Sequence, residues 1–425
     1  MEAHESRLKI GVIGGGIGGI AAAWFLGKHH DVTLIERDER IGGHTNTIMV
    51  EEAGEKVPVD TGFIVCNERN YPVFYGLLKE WGASLRDSDM SFGFSCQRTG
   101  LAYVGPSLRN FAARPRNFFN PRFWGFVRSQ RRFARLAKTS LEHGDLGDMS
   151  LGTYLENLGM NRFFIHNYLV PLAASVWSSP DRDMLEFPAE TFLRFFDNHG
   201  MIRVRDIPRW QTVVGGSCAY VDCFKSLFPG AIMQGTPVES VRRCPGHVEV
   251  GVEGGGRMDF DHVVLATHAD QALELLVDPS SEERSTLSSW RYHRSHVVLH
   301  SDPSVMPADR RLWASWNYRR PAGATAGDPV PITYYMNRLQ NFNHCPVDFC
   351  VTLNKSADID DNKVIRRFTY DHPVFTLEGI AAQKRHDEIS GHQRSHFCGA
   401  YWFNGFHEDG VVSALRVTRA LGVDL

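Results

Sequence analysis

The sequence KIGVIGGGIGGIAAAWFLGKHHDVTLIE, from Lys9 to Glu36, decides the fold. Two apolar runs flank a glycine cluster, and a third apolar run ends in an acid, which predicts a strand, a turn, a helix and a second strand. Gly14, Gly16 and Gly19 have GxGxxG spacing. In that spacing the first glycine permits a sharp turn, the second admits a pyrophosphate, and the third lets helix and strand pack closely. The stretch therefore predicts a dinucleotide site.

The same stretch limits the candidate ligands of this site. A helix that begins at Ile17 directs its positive end at the phosphates. Glu36 can accept hydrogen bonds from both adenosine ribose hydroxyls, and it would repel the 2′-phosphate of NADP. FAD or NAD is therefore expected. The alternative is a membrane span, because residues 10–26 carry no charge, but this run is short, rich in glycine and lacks a basic region with a cleavage site before it.

A second glycine pair follows directly. The residues after Glu36 are Arg37-x-x-Arg40-Ile41-Gly42-Gly43-His44-Thr45. They resemble the ExxxxxGG motif of the flavoprotein amine oxidase and phytoene desaturase superfamily, in which the glycine pair passes close to the phosphates and the flavin. The resemblance implies FAD as cofactor. It also implies an α/β fold: a glutathione-reductase-type, Rossmann-like FAD-binding domain interleaved with a substrate domain of antiparallel sheet and helices.

Further likenesses cover nearly the whole chain, at residues 59–63, 214–217, 263–267 and 405–410. GGHTNT, VDTGFIVCNERNYP and GFHEDG resemble, more narrowly, a bacterial branch that modifies membrane fatty acyl chains, including desaturation of methyl-branched ones on the route to furan fatty acids. In related flavoproteins the residue at Val238 holds the adenine through its backbone. The residues expected at the cofactor are Gly14, Gly16, Ile17, Gly18, Gly19, Glu36, Arg37, Gly42, Gly43, His44, Thr45, Gly62, Phe63, Val238, Thr267, Phe406, Glu408, Asp409, Gly410 and Val411.

The length of 425 residues and a hydrophobic share of 43% predict two domains. We expect residues 1–70, 211–280 and 395–425 to form the FAD-binding domain, and residues 71–210 and 281–394 to form the substrate domain. Within these, the patterns predict a hairpin at 51–60, helices at 71–81, 153–158, 163–177 and 410–421, and strands at 297–300, 312–317, 331–336 and 348–353. Pro171 should kink or end the helix that contains it.

Charge and cysteine content exclude several classes. A net charge of −3 predicts no general attraction to nucleic acid. Eight cysteines without paired CxxC spacing predict neither a disulfide scaffold nor a structural metal. Since no export signal or spanning helix is recognised, the expected location is the cytoplasm, with peripheral contact at the inner face of the membrane. A homodimer is left open.

The sequence GAYWFNGFHEDG near the carboxyl end is the expected flavin face. Backbone NH groups of Asp409, Gly410 and Val411, at the start of the last helix, would stabilise negative charge on a reduced flavin. Phe406 matches the position at which amine oxidases carry one aromatic wall of the substrate cage.

Two departures from the superfamily pattern bear on chemistry. Tyr401 replaces the acid that usually follows Gly399 by two residues, so the ribityl contact is assigned to Glu408 or Asp409. Tyr401 and His407 are the candidates for proton transfer. The alternative is that the histidine is hydrogen-bonded for structure and that the tyrosine packs on the flavin.

The expected reaction is desaturation of an apolar lipid by hydride transfer to flavin N5. The substrate that the resemblance implies is a methyl-branched unsaturated fatty acyl chain linked to phospholipid, and the phenylalanine-rich middle of the chain favours a long apolar tunnel for it. One rival is an amine oxidase that produces imine and hydrogen peroxide. Another is a flavin-holding binding or assembly factor without turnover.

Residues 109–138 contain nine basic side chains and no acidic one, interleaved with aromatics. This composition predicts a helical segment that meets an anionic membrane surface, with apolar side chains in the headgroup boundary. Arginines among aromatics could also bind single-stranded nucleic acid. The third interpretation is a solvated helix face with its aromatics in the core.

Overall fold

The structure, a computed structural model, describes residues 7–52, 54–105, 121–144, 146–177, 181–202, 208–325, 332–342, 344–354 and 358–423. Its strands are β1 (Lys9–Ile13), β2 (Asp31–Ile35), β3 (Thr47–Glu52), β4 (Glu55–Asp60), β5 (Leu85–Asp87), β6 (Phe92–Cys96), β7 (Ala102–Gly105), β8 (Gln211–Val213), β9 (Ala231–Met233), β10 (Val238–Cys244), β11 (His247–Val252), β12 (Gly256–Phe260), β13 (His262–Leu265), β14 (Arg291–His300), β15 (Trp316–Arg320), β16 (Ile332–Tyr335), β17 (Cys350–Leu353), β18 (Val364–Val374) and β19 (Ser395–Phe397). Its helices are α1 (Ile17–Gly27), α2 (Pro72–Trp81), α3 (Pro121–His143), α4 (Leu151–Asn157), α5 (Arg162–Phe164), α6 (Val170–Trp177), α7 (Asp181–Glu186), α8 (Ala189–Asn198), α9 (Cys218–Leu227), α10 (Ala269–Leu275), α11 (Ser281–Leu287), α12 (Met336–Leu339), α13 (Leu377–Gln383), α14 (His386–Ile389) and α15 (His407–Ala420).

A parallel sheet carries the glycine turn. Its strand order is β19-β13-β1-β2-β9, and every neighbouring pair is parallel. Ile10 and Val12 of β1 are fully buried, as expected for a central strand of a parallel sheet whose two faces are both covered. α1 connects β1 to β2, and α15 packs against α1. The strand, turn, helix and strand predicted for residues 9–36 are confirmed.

Two further sheets complete the β-structure. A three-stranded antiparallel sheet, β10-β11-β12, lies between β9 and β13 in the chain, and a seven-stranded sheet has the order β18-β14-β17-β16-β15-β6-β7. In the larger sheet only β15 and β6 pair in parallel. Strands of the large sheet come from residues 92–105 and 291–374, on both sides of parallel-sheet segments. The exact domain boundaries stay a prediction.

The sequence-based prediction was inaccurate for three strands of the large sheet. β15 begins at Trp316 rather than at Leu312, because Arg310–Leu312 form a 3-10 turn that the Asp309 side chain caps. β14 covers ten residues rather than the predicted four, and β18 was not predicted. Both long strands carry exposed charged residues at their outer positions, which hid the apolar alternation.

The helical region lies between β7 and β8. Within it, the helix predicted at residues 163–177 is interrupted. α5 leads into a π-helical turn at Ile165–Leu169, and α6 then includes Pro171 near its start. A proline has no N–H and crowds the preceding turn, so the wider π turn accommodates it without ending the helix.

All eight cysteines are free. In the described residues, no helix combines the length and apolar character needed to cross a bilayer.

Candidate cofactor and substrate site

The three motif glycines have two different tasks. Gly14 has φ +105°, and a Cβ atom there would lie 2.7 Å from the carbonyl oxygen of Ala266. A Cβ atom on Gly19 would lie only 1.8 Å from the carbonyl oxygen of Gly14. These two positions are fixed by the protein's own packing. At Gly16, by contrast, a Cβ atom would meet nothing within 4 Å, so this position leaves space for a ligand.

The start of α1 borders that space. Gly16 is its N-cap, no side chain caps the amides of the first turn, and the turn contains no acidic residue. Such a helix end favours an anion. A Cβ atom on Gly18 would lie 3.2 Å from Cys398 Sγ and 3.6 Å from the carbonyl oxygen of Gly410. Gly18 thus lies at the contact between α1 and α15, and the cofactor contact expected of it stays a prediction.

Glu36, at the end of β2, lies against the glycine turn. Its Oε2 accepts a hydrogen bond from the Gly15 N–H (2.6 Å), and its Oε1 accepts one from the Asp38 N–H (2.9 Å). Each carboxylate oxygen has a second lone pair, which can accept from a ribose hydroxyl. Val238 begins β10 at the edge of the small sheet, with a bulge before Ser240.

The second glycine pair contacts the first glycine turn. The Gly42 N–H donates to the Gly15 carbonyl (2.7 Å), and a Cβ atom on Gly43 would lie 3.1 Å from the Gly16 Cα. Gly42 and Gly43 both have positive φ, at +127° and +57°. Two turns of backbone thus form one surface around the open space at Gly16.

Arg40 holds the second turn in place, and sequence reasoning missed it. Its guanidinium donates to the carbonyls of Thr45 (2.9 Å) and Gly43 (2.8 Å). It brings positive charge to a surface that is suited to phosphate. Arg37, which was expected at the cofactor, is instead exposed and pairs with Asp38 (3.4 Å). The Arg37-x-x-Arg40 spacing was the available signal for Arg40, and the cofactor contact expected of Arg37 stays a prediction.

Gly62 and Phe63 lie beside His44. A Cβ atom on Gly62 would meet the His44 carbonyl oxygen at 2.1 Å, and the Phe63 N–H donates to the same oxygen (2.8 Å). The preceding Asp60 is fully buried. Its carboxylate accepts hydrogen bonds from Thr47 Oγ1 (2.6 Å), the Ser217 N–H (2.8 Å) and Gln340 Nε2 (2.7 Å).

Asp60 therefore ties three distant segments together, a role that the sequence did not reveal. Burial raises its pKa to about 7, and the hydrogen bonds from Thr47 and Ser217 act in the opposite direction. The carboxyl group fixes the Asp60-Thr61-Gly62 turn against the Gly215-Gly216-Ser217 turn, both of which resemble cofactor-contacting segments of the superfamily.

His407 is held in a hydrogen-bonded network behind Phe63. Its Nε2 is 3.0 Å from Thr45 Oγ1 and 3.2 Å from the Tyr220 hydroxyl, and its ring stacks on Phe63 at 3.6 Å. Burial lowers the pKa of His407 to about 3, so the imidazole is neutral. These contacts suit a residue that positions Thr45 and Phe63, and they do not support the expected proton transfer.

The start of α15 differs from the prediction. The helix begins at His407, and the Gly410 N–H already donates to the Phe406 carbonyl (3.1 Å). Gly410 and Val411 are thus inside the helix, and the amides left for a ligand are those of residues 407–409. The anion-binding end therefore lies two residues earlier than expected.

The two acids of this helix accept hydrogen bonds from backbone amides. Both oxygens of Glu408 accept from the start of α2, from the Val73 N–H (3.0 Å) and the Phe74 N–H (2.9 Å). Asp409 accepts from the Phe406 N–H (2.8 Å), and burial raises the pKa of Asp409 to about 7. These side chains therefore stabilise helix starts, and the ribityl contact expected of one of them stays a prediction.

Four imidazoles, those of His44, His268, His293 and His372, form what we call the histidine wall. The ring of His44 lies 5.1 Å from that of His372 and 6.5 Å from that of His268. His293 pairs with His372 across β14 and β18. Burial keeps the pKa of His44 and His268 below the usual range and lowers that of His372 to about 4. The described residues contain no grouping of His, Cys, Asp or Glu that could hold a metal ion.

Three nitrogens of the histidine wall lack a hydrogen-bond partner among the residues that the structure describes: His44 Nε2, His293 Nε2 and His372 Nδ1. A buried polar atom without a partner costs about 1–3 kcal/mol, so these atoms point to a polar ligand. Thr267 and His268 directly follow β13, and the Thr267 methyl group lies 3.2 Å from a Cβ atom placed on Gly14. The wall is thus continuous with the glycine turn.

Phe406 lies against the helical region. Its ring stacks on that of Phe195 at 4.8 Å and lies 6.5 Å from that of Trp177. Tyr401 is buried beside Trp290, at 5.5 Å, and its hydroxyl has no hydrogen-bond partner in the described part of the chain. Burial raises the pKa of Tyr401 well above its usual range, so the phenol stays protonated.

The open space at Gly16 beside the uncapped amides of α1, the acid at the glycine turn and the unpaired polar atoms of the histidine wall fit a flavin dinucleotide. By class, the protein is an FAD-dependent oxidoreductase. Comparison with family models makes the class specific. The chain belongs to the family described as flavin-containing amine oxidoreductases, whose model matches residues 17–315. The expected superfamily and FAD are confirmed.

Solved structures share the fold over nearly the full chain. The CLA-producing fatty acid isomerase from P. acnes has a TM-score of 0.71 and 16% identity, with 99% of each chain covered. Putrescine oxidase bound to putrescine has a TM-score of 0.69 and 14% identity, with 98% of this chain and 99% of that one covered. For cyclohexylamine oxidase from Brevibacterium oxydans IH-35A the values are 0.67, 14%, 98% and 100%.

At these identities the likeness establishes the fold alone, and it confirms the predicted α/β class. No curated protein is significantly similar to the chain in sequence.

Proposed function

We propose that this enzyme desaturates an apolar acyl chain, with a methyl-branched unsaturated fatty acyl group of a phospholipid as substrate. Bound FAD would supply the oxidant: one hydrogen would leave the substrate with its electron pair to the flavin, the neighbouring hydrogen would be released as a proton to solvent, and a carbon–carbon double bond would form. The protein's task is then to bind the chain, orient one C–H bond and exclude water.

The packing of Phe406 is the observation that carries this proposal. An ammonium substrate is stabilised by aromatic faces within about 6 Å of it. The Phe406 and Phe195 rings are 4.8 Å apart and inclined by 22°, so no group fits between them, and one face of Phe406 is already covered. The ring can serve instead as one apolar surface along which a hydrocarbon chain lies.

The neighbouring side chains extend this apolar surface. Trp177 contacts Phe187 at 4.6 Å and Phe195 at 4.7 Å, and Phe187 lies 5.8 Å from Phe375. Burial lowers the pKa of His199, which stacks on Phe195, to about 4. The imidazole is therefore neutral at pH 7, so this side chain adds no charge to the surface.

The comparisons are compatible with more than one substrate class. The fatty acid isomerase supports the view that this fold can hold an acyl chain, whereas putrescine oxidase and cyclohexylamine oxidase support an amine. The family description also favours the amine. An amine oxidase that forms imine and hydrogen peroxide is therefore the second candidate, and a flavin-holding binding factor is the third.

Anaerobic mixing separates these candidates. The holoenzyme is mixed with a methyl-branched unsaturated phospholipid in detergent micelles, and separately with putrescine and cyclohexylamine, while flavin absorbance is followed. The proposal expects bleaching by the lipid only, with a product two mass units lighter. Bleaching by an amine and not by the lipid would replace it with the amine oxidase. If no compound bleaches the flavin, the binding factor is favoured.

A further inference from the structure

Helix α3 presents one basic stripe to the solvent. Trp124, Arg128, Arg131, Arg135 and Lys138 follow one another at steps of four and three residues, which places them on a single face. All five are exposed, and the exposure of Trp124 is 45%. At 1.5 Å per residue the stripe is about 21 Å long. We call these five residues the α3 stripe.

The opposite face of α3 is part of the core. Phe126 and Phe133 are buried, and their rings lie 5.9 and 5.8 Å from that of Phe164. The expectation that the aromatics of this segment enter a membrane is therefore wrong for these two residues. Arg132 points away from the stripe and donates to the carbonyl of Leu158 (2.8 Å), at the end of α4. Residues 109–120 of the predicted segment lie outside the described residues.

The charge of the stripe is largely unneutralised. Arg128, Arg131 and Arg135 form no ion pair within the part of the chain that the structure describes. Lys138 pairs with Glu142 at 3.7 Å. Because the whole chain has a net charge of −3, three unpaired arginines on one face represent a local concentration of positive charge.

We propose that the α3 stripe docks the enzyme on an anionic lipid bilayer, with α3 lying parallel to the membrane surface. Three arginines at roughly 1 kcal/mol each supply electrostatic attraction to anionic headgroups. Trp124 at one end suits the interfacial zone, where amphipathic aromatic rings concentrate. The stripe contains a single aromatic residue, so it offers little of the repeated base stacking on which single-stranded nucleic acid binding depends.

The docked helix α3 connects the membrane to the apolar surface at Phe406. α3 packs against α8, and α8 carries Phe195, which stacks on Phe406. The apolar surface at Phe406 is therefore one helix layer from the bilayer. This step rests on the proposed function, because it gives an acyl chain a short route from membrane to flavin. The docking itself does not depend on the substrate.

Vesicle sedimentation of the holoenzyme tests the proposal at 10 mM salt, where the Debye length is about 30 Å. Vesicles of phosphatidylglycerol with phosphatidylcholine are compared with phosphatidylcholine alone. The variant Arg128→Gln/Arg131→Gln/Arg135→Gln should bind the anionic vesicles roughly 100-fold less tightly than wild type. The control Arg284→Gln/Arg291→Gln/Arg366→Gln removes the same charge from exposed positions on other elements and should bind like wild type.

Several results would overturn docking by the α3 stripe. These are wild-type protein that ignores anionic vesicles, equal losses in both triple variants, and preferential binding to a single-stranded oligonucleotide over vesicles. Flavin content and the unfolding midpoint confirm that each variant is folded. Flavin bleaching by micellar lipid is measured in parallel and should be unchanged in the stripe variant. A failed docking test with intact bleaching leaves the proposed function standing, and the reverse outcome leaves docking standing.

Discussion

Alanine at two glycines of one motif should separate folding from cofactor binding. Gly16 has ordinary extended backbone, with φ −71° and ψ −179°, and a Cβ atom there meets nothing within 4 Å. Gly16→Ala should therefore leave the apoprotein intact or stabilise it by about 0.4–1 kcal/mol, because alanine restricts the unfolded chain. Gly19→Ala would place its Cβ atom 1.8 Å from the Gly14 carbonyl oxygen, so backbone must move.

The expected magnitudes differ accordingly. Overpacking against backbone costs about 1–3 kcal/mol or more, and the Gly19→Ala apoprotein should lose about 3 kcal/mol of unfolding free energy. In Gly16→Ala the new methyl group occupies the space beside the start of α1. Loss of one or two hydrogen bonds to a charged phosphate, at about 1.5–3 kcal/mol each, weakens FAD binding at least 10-fold.

Urea unfolding of the apoproteins measures the first quantity, and titration with FAD, followed by flavin fluorescence, measures the second. The reasoning fails if Gly16→Ala binds FAD as tightly as wild type, since the open space would then not hold the phosphates. It also fails if the Gly16→Ala apoprotein loses more than about 1 kcal/mol of stability, or if Gly19→Ala loses none.

Three further outcomes are expected. Glu36→Arg should release FAD on dialysis, because it removes the ribose acceptors and the partner of the Gly15 amide; full FAD retention would exclude the acid from the site. Phe406→Ala should slow flavin reduction more than it weakens FAD binding, with Phe406→Leu closer to wild type, and unchanged reduction kinetics would remove the ring from the cavity. His407→Gln should flatten the acid dependence of stability. The folded state keeps this imidazole neutral to about pH 3, whereas the unfolded chain protonates it below about 6.5, so its contribution is present above pH 6.5 and is lost as the pH falls towards 3. Between pH 6.5 and 5 the wild type should lose about 2 kcal/mol more than the variant in urea titrations, and parallel losses would show that His407 is not buried neutral.

Local rules explain what the sequence predicted well. Glycine is the only residue type that the turn at Gly14 and the helix–strand contact at Gly19 permit. The spacing of these two glycines therefore predicts the strand–turn–helix geometry directly. The hairpin at β3 and β4 and the start of α2 at Pro72 likewise depend on neighbouring residues.

Long-range contacts explain what it missed. Glu408 caps α2 across 335 positions of sequence, and nothing near it indicates that partner. The histidine wall gathers side chains from four separate segments, and only the pairing of β14 with β18 brings His293 beside His372. The spacing of the two arginines does not reveal that Arg40, rather than Arg37, reaches the carbonyls of the second glycine turn.

The contact between α1 and α15 also sets the order of events during synthesis. Gly18, near the start of the chain, lies against Gly410, near its end, and β19 completes the sheet that begins with β1. During synthesis on the ribosome, almost four hundred residues must therefore be added after Gly18 before α15 can pack against α1. Pairings of such high contact order form slowly. We therefore expect FAD to bind only after α15 has been synthesised. Until then, the apolar surface of α1 is exposed to chaperones or to the helical region as it folds.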